Sequence, residues 1–201
     1  GGGFKEGEAN LPSDAAAMIR RIAPVYEVST VERVPGGVYR NDLIDEWKTQ
    51  GITIFATDLN LLKAQRGTLQ TGVFLSDVTS KFPAVVLGAV AGERLGIRDV
   101  SSDQKIWLGE EWFTVIGILN PLNLAADLDR GAIIGYESAE KFLNHEYDGH
   151  PDVIYMRAYP EHINDVRSVM AATVNPGNPD EVLVSRSSDV LEARIAAQST
   201  F

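Results

Sequence analysis

The sequence contains no cysteine. That single absence excludes disulfide bridges, thiolate nucleophiles and thiolate metal sites. It leaves the compartment open, because an exported chain can avoid oxidative chemistry by carrying no thiol. Long hydrophobic runs are also missing. The longest apolar stretches, such as PAVVLGAVAG (residues 83–92), fall far short of the roughly 20 residues that cross a bilayer as a helix. A basic excess is lacking too: 18 Lys and Arg stand against 28 Asp and Glu, for a formal net charge of -10. Phosphate backbones need clustered cations, so nucleic acid is not expected as a partner. Direct docking on an anionic lipid surface is disfavoured for the same reason.

Catalytic signatures are equally scarce. There is no Gly-x-Ser-x-Gly and no Gly-x-x-x-x-Gly-Lys phosphate loop. The one cluster of possible metal ligands is HEYDGHPD, with His145, Glu146, Asp148, His150 and Asp152. It begins like the zinc-protease motif, but the second histidine follows at five residues and not four. On a helix that spacing turns the two imidazoles apart, and Gly149 with Pro151 argues against a helix there. The alternative, a metal-binding hydrolase built on the His145/His150 loop, needs a loop to gather these side chains. His162 falls in the first turn of a helix and is expected to be solvated. Ser185, Ser187 and Ser188 beside Arg186 read as a strand end and a cap. Trp107 and Trp112 in WLGEEW resemble a carbohydrate platform, but two Trp on a hairpin more often pack against protein. No catalytic, metal-binding or cofactor-binding residue is therefore assigned, and the chain is not expected to be an enzyme.

What is present is an ordinary globular composition, 44% hydrophobic, long enough to bury a sizeable core. GGGFKEGEAN (1–10) reads as a flexible linker or tag remnant. Ala15, Met18, Ile19 and Ile22 repeat with helical period after Pro12 and Ser13. VYEVSTVERV (25–34) is rich in β-branched residues and reads as a strand, and GVYR (37–40) is expected to pair back on it. GITIFATD (51–58), apolar on both faces, reads as a central strand. Asp58 or Asn60 is expected to cap a short helix that Gly67 closes.

Between 67 and 149 the texture becomes strand-rich. PAVVLG is a strand, AVAGERLG a helix, and KIWLGEEWFTVIGIL (105–119) a hairpin around Gly109-Glu110-Glu111. RGAIIGY is another strand, and Ser138 is expected to cap AEKFL. DVIYMRA, PEHINDVRSVMAA and EVLVSR then give strand, helix and strand, with Ile163, Val166 and Met170 on the inner face of the helix. In SRSSDVLEARIAAQSTF (185–201), Asp189 with Glu192 has capping-box spacing, and the alanines favour a helix. That helix, without a stop signal, is expected to run on beyond Phe201.

The fold class implied is α+β and two-lobed. An α/β lobe comes from both chain ends (11–66 and 150–201), and a β-rich lobe (67–149) is inserted between them.

At PAVVLGAVAGERLGI and KIWLGEEWFTVIGIL the sequence resembles the periplasmic core domain of MacB-like ABC transporter permeases. LDRGAIIGY continues the pattern, and VSRSSDVLEARIAAQSTF resembles the last strand and the helix leading to the second membrane span. The resemblance runs from Leu11 to Phe201 and implies a porter-like lobe and an inserted sabre-like lobe. It implies a membrane protein whose domain lies on the extracytoplasmic side and has no cofactor of its own. It further implies a cytoplasmic ABC ATPase that binds ATP, a second permease protomer, and an extracytoplasmic adaptor or substrate protein as partners. Function would then be mechanical: ATP-driven motion coupled to export of, or work on, a substrate outside the membrane. GEEWFTVIGILNPLNLAADLD departs toward Gram-positive, actinobacterial-type permeases. The competing expectation is a free-standing extracellular binding module.

Overall fold

The computed structural model describes residues 11–122, 124–187 and 190–195. In chain order the elements are α1 (Ala15–Arg20), β1 (Val25–Val34), β2 (Val38–Tyr39), β3 (Thr53–Thr57), α2 (Leu61–Gln65), β4 (Leu69–Gly72) and β5 (Ala84–Leu87). There follow α3 (Ala89–Leu95), β6 (Lys105–Leu108), β7 (Glu111–Leu119), α4 (Ala126–Asp129), β8 (Gly131–Gly135) and α5 (Tyr136–Leu143). The last are β9 (Val153–Ala158), α6 (Ile163–Val174), β10 (Val182–Ser187) and β11 (Val190–Ile195). They make an α+β fold built on mixed sheet, in two compact units. Unit one comprises Gly1–Thr30 with Asp148–Phe201, and unit two comprises Val31–Tyr147. The expected boundary at 66/67 lies inside unit two. The reason is pairing: β3 is bound by Val31–Val34 of β1 on one side and by β8 on the other, so residues 31–66 pack with 67–147.

In unit two the strand order is β1-β3-β8-β5-β7-β6-β2, with β4 also on β7. β3 and β8 are parallel, Thr53 to Thr57 opposite Gly131 to Gly135, and both faces of β3 are covered, as its continuous apolar run predicts. Ile54, Ala56, Val85, Leu87, Ala132 and Ile134 share one core with Phe113. α3 and α5 contribute Ala91, Leu95 and Ala139 to it. Each large side chain buried there stabilises the fold by about 1.5–3 kcal/mol. The hairpin of β6 and β7 forms as expected, and Gly109 (φ 57°) and Glu110 (φ 67°) make its two-residue turn. β2, however, pairs with β6, Val38 opposite Leu108 and Tyr39 opposite Trp107. It does not fold back on β1, because β3 occupies that edge.

Two helix ends also differ from expectation. Asn60 is the N-cap of α2, and the Asp58 carboxylate accepts from its backbone N–H (2.9 Å). Arg66 takes the left-handed conformation (φ 48°), while Gly67 N–H donates to the Leu62 carbonyl at 2.9 Å. Ser138 does not cap α5, whose N-cap is Gly135. Its buried hydroxyl instead donates to the Phe82 carbonyl at 2.8 Å.

In unit one the order is β10-β11-β9-β1. β11 is antiparallel to both neighbours. β9 and β10, joined through α6, therefore run the same way with β11 between them. α6 turns Ile163, Val166, Met170 and Val174 inward, onto a core shared with Leu11, Ala15 and Ile19. The helix expected after Asp189 is a strand instead. Helix propensity there is worth only tenths of a kcal/mol per residue. Leu191, Ala193 and Ile195 alternate into the core, and β11 gains a ladder on each edge. Glu192 and Arg194, on the opposite face, pair with each other. The continuation of that segment (196–201), its proposed caps (188–189) and the glycine-rich start (1–10) lie outside the described residues.

Candidate functional site

The HEYDGHPD residues do not converge. In unit two, the His145 imidazole faces Glu32 of β1, Nε2 to Oε1 at 3.4 Å. Its neighbour Tyr147 stacks on Tyr136, with ring centroids 4.1 Å apart. In unit one, His150 donates through Nδ1–H to the Leu11 carbonyl (3.1 Å), while its backbone N–H donates to the Asp148 carboxylate (2.8 Å). Glu146 is exposed. Among the described residues no three His, Asp or Glu side chains are grouped so as to hold a metal ion. His162 ends a short 3-10 turn and is exposed, as expected. Ser185 and Arg186 lie within β10, paired with Glu192 and Leu191.

The geometry points elsewhere in unit two. Tyr39, Trp107 and Trp112 stand in register across β2, β6 and β7. The two indoles meet edge to face at 5.2 Å, and Trp112 is left 41% exposed. Both Trp therefore lie on the sheet face opposite Ile106, Leu108 and Phe113, which fill the core. A cleft of about 390 Å³ opens nearby, where the edge of β7 passes from β6 to β4. Val73, Val100 and Ile116 line it together with Ser102, Asp103 and Gln104.

From β2 the chain leaves in a loop that sequence reasoning passed over, Arg40–Gly51. It is pinned at both ends. The Tyr39 hydroxyl donates to the Glu46 carbonyl. The Arg40 guanidinium donates to the Lys105 carbonyl (3.3 Å) and the Gln104 amide oxygen (3.2 Å). Arg94 of α3 holds the far end through the Gln50 and Gly51 carbonyls, at 2.9 and 3.2 Å. Inside the loop, the Asn41 side chain accepts from Leu43 N–H, and Lys48 N–H donates to the Asp45 carbonyl. Leu43 is 87% exposed and Trp47 76% exposed. The available signal was NDLIDEWK itself, two large apolar residues four apart among acids, in a stretch with no strand or helix pattern.

The sequence matches the model of the MacB-like periplasmic core domain over residues 2–182. The chain belongs to that family. MacB-like core domains are the extracytoplasmic portions of ABC transporter permeases, so this one is a periplasmic-type domain of a membrane transporter subunit. Among solved structures, one similar fold is the extracellular domain of the noncanonic ABC-type transporter YknZ from Gram-positive bacteria. It matches at TM-score 0.62 and 11% identity, over 91% of this chain and 89% of that one. Another is the periplasmic region of MacB from Actinobacillus actinomycetemcomitans, at TM-score 0.59 and 12% identity, over 96% and 85% of the two chains. No curated protein matches the sequence. Among the described residues no helix is long and apolar enough to cross a membrane; for this MacB-like domain, attachment is inferred from the family.

Proposed function

We propose that this domain is a mechanical transmission element of its permease and has no chemistry or cofactor of its own. ATP bound and hydrolysed by a cytoplasmic ABC ATPase moves the membrane helices of the permease. The domain carries that motion to a substrate or partner protein outside the membrane, in a transporter that pairs two permease protomers. On this reading unit one is the porter-like lobe and unit two the inserted sabre-like lobe.

Beyond family membership, one observation supports the reading: both ends of the described chain are locked into unit one. Leu11 is fully buried and donates its backbone N–H to the Pro151 carbonyl (3.1 Å). Ile195 closes a strand that is hydrogen-bonded on both edges and 2% exposed. Force applied to the chain beyond either point meets an ordered core, so it turns the unit rather than unravelling it. The test is the intact transporter reconstituted with its ATPase, carrying a flexible Gly-Ser insertion directly after Ile195. ATP hydrolysis should persist while movement of the substrate stops. Undiminished substrate movement would overturn the proposal.

A further inference from the structure

We infer that the Arg40–Gly51 loop is a docking knob for an extracytoplasmic protein whose receiving pocket is apolar inside and rimmed by Lys and Arg. The inference rests on the transmission reading above, and names the surface through which that work would be delivered.

Three observations carry it. First, Leu43 and Trp47 are the most exposed large apolar side chains among the described residues, at 87% and 76%. Leaving both in water is unfavourable, and Trp above all other residues anchors protein interfaces. Second, the loop that displays them is already ordered: the Tyr39 hydroxyl holds the Glu46 carbonyl at its middle, Arg40 anchors its start to Gln104 and Lys105, and Arg94 holds the Gln50 and Gly51 carbonyls at its end. A knob held in place before contact gives up less freedom on binding.

Third, charge selects the occupant. Asp42, Asp45 and Glu46 are all exposed beside the two apolar residues. Among the described residues none of their carboxylates is in an ion pair. The loop's two bases are otherwise engaged: Arg40 on Gln104 and Lys105, Lys48 over the Trp47 ring at 5.2 Å. The knob therefore presents negative potential around an apolar centre. A second copy of this chain, itself at net charge -10, would meet it with like charge, and an anionic lipid surface would do the same. A protein with a basic rim gains both steering and burial.

The experiment uses the intact permease in its own membrane, with photoreactive p-benzoylphenylalanine replacing Leu43 or Trp47, and replacing exposed Lys63 of α2 as control. Positions 43 and 47, but not 63, should crosslink to one extracytoplasmic protein identified by mass spectrometry. That protein, purified, should bind the chain, and the L43A/W47A variant should weaken binding about tenfold or more. The D42N/D45N/E46Q variant should slow association and flatten its salt dependence. Both variants change exposed side chains only, and an unchanged melting temperature will show that they fold. Adducts with phospholipid, adducts with a second permease, no adduct, or binding indifferent to L43A/W47A would each overturn the inference. Uncoupling by the insertion after Ile195 is read separately, so either idea can fail while the other stands.

Discussion

His145 Nε2 lies 3.4 Å from Glu32 Oε1, in a contact where the carboxylate side chain is 9% exposed and the imidazole 23%. Histidine was singled out in the sequence as half of a ligand pair with His150, and its observed neighbour is a strand residue far away in the chain. The contact packs the ring against β1, and at that distance Nε2 makes no hydrogen bond. His145→Ala is expected to cost about 1 kcal/mol of stability through the packing it removes, read as a shift in the urea midpoint at constant slope. Zinc should move the melting temperature of the unaltered chain no more than that of H145A/H150A. A larger zinc shift in the unaltered chain would restore the metal reading.

Gly88 and Gly177 make an opposed pair. A Cβ on Gly88 would stand 2.2 Å from the Leu128 carbonyl oxygen and 2.5 Å from that of Asp129, both backbone atoms that cannot swing away. Gly88→Ala should therefore cost about 3 kcal/mol or more. Around Gly177 a Cβ meets nothing within 4 Å, so Gly177→Ala should be neutral or stabilise by up to about 1 kcal/mol through the unfolded chain. Thermal melts of the two variants side by side check both signs.

The hairpin turn holds a residue in a conformation it does not favour. Glu110 has φ 67°, in the left-handed region, which costs a residue with a Cβ about 1 kcal/mol relative to glycine. Glu110→Gly should raise stability by roughly that amount, and Glu110→Asn by less, both read as higher melting temperatures.

β11 offers a direct test of strand against helix. Ala193 stands between Val184 of β10 and Ile154 of β9. Ala193→Pro removes a ladder donor from an interior strand and should cost about 3 kcal/mol or more. Amide exchange should show Leu191 and Ala193 among the slowest protons of unit one, as befits a strand hydrogen-bonded on both edges.

Local signals were legible where they decide the outcome locally. The Gly109 turn, the left-handed Gly96 that ends α3, and the 163–166–170 face of α6 could all be read from the sequence, because a turn residue or a period of 3.6 is a property of neighbours along the chain. The α+β class was also visible in outline. What could not be read is set by distant partners. Leu191 to Ile195 alternates apolar and polar over only five residues and is made of good helix formers, which outweighed that alternation, and nothing local reveals that strands β9 and β10 leave a slot for it. Tyr39 carries no mark saying that Trp107, not β1, lies opposite. The Leu43 and Trp47 knob was missed because hydrophobic residues in a polar loop look like noise until their exposure is known. His145 and His150 lie close in sequence, and the structure assigns them to Glu32 and Leu11.

The slot filled by β11 has a consequence for how the chain is born. Residues 31–147 emerge without interruption and hold every strand that unit two requires, so they can condense during translation. The segment 11–30 leaves the ribosome ahead of unit two, yet its companions in α6, β9 and β11 emerge only after unit two has been made. It must idle, with Leu11, Ala15 and Ile19 uncovered, until β11 threads between two strands already made. Completion of unit one is thus gated by β11, and any stall short of Ile195 leaves a greasy, half-assembled sheet for quality control to find.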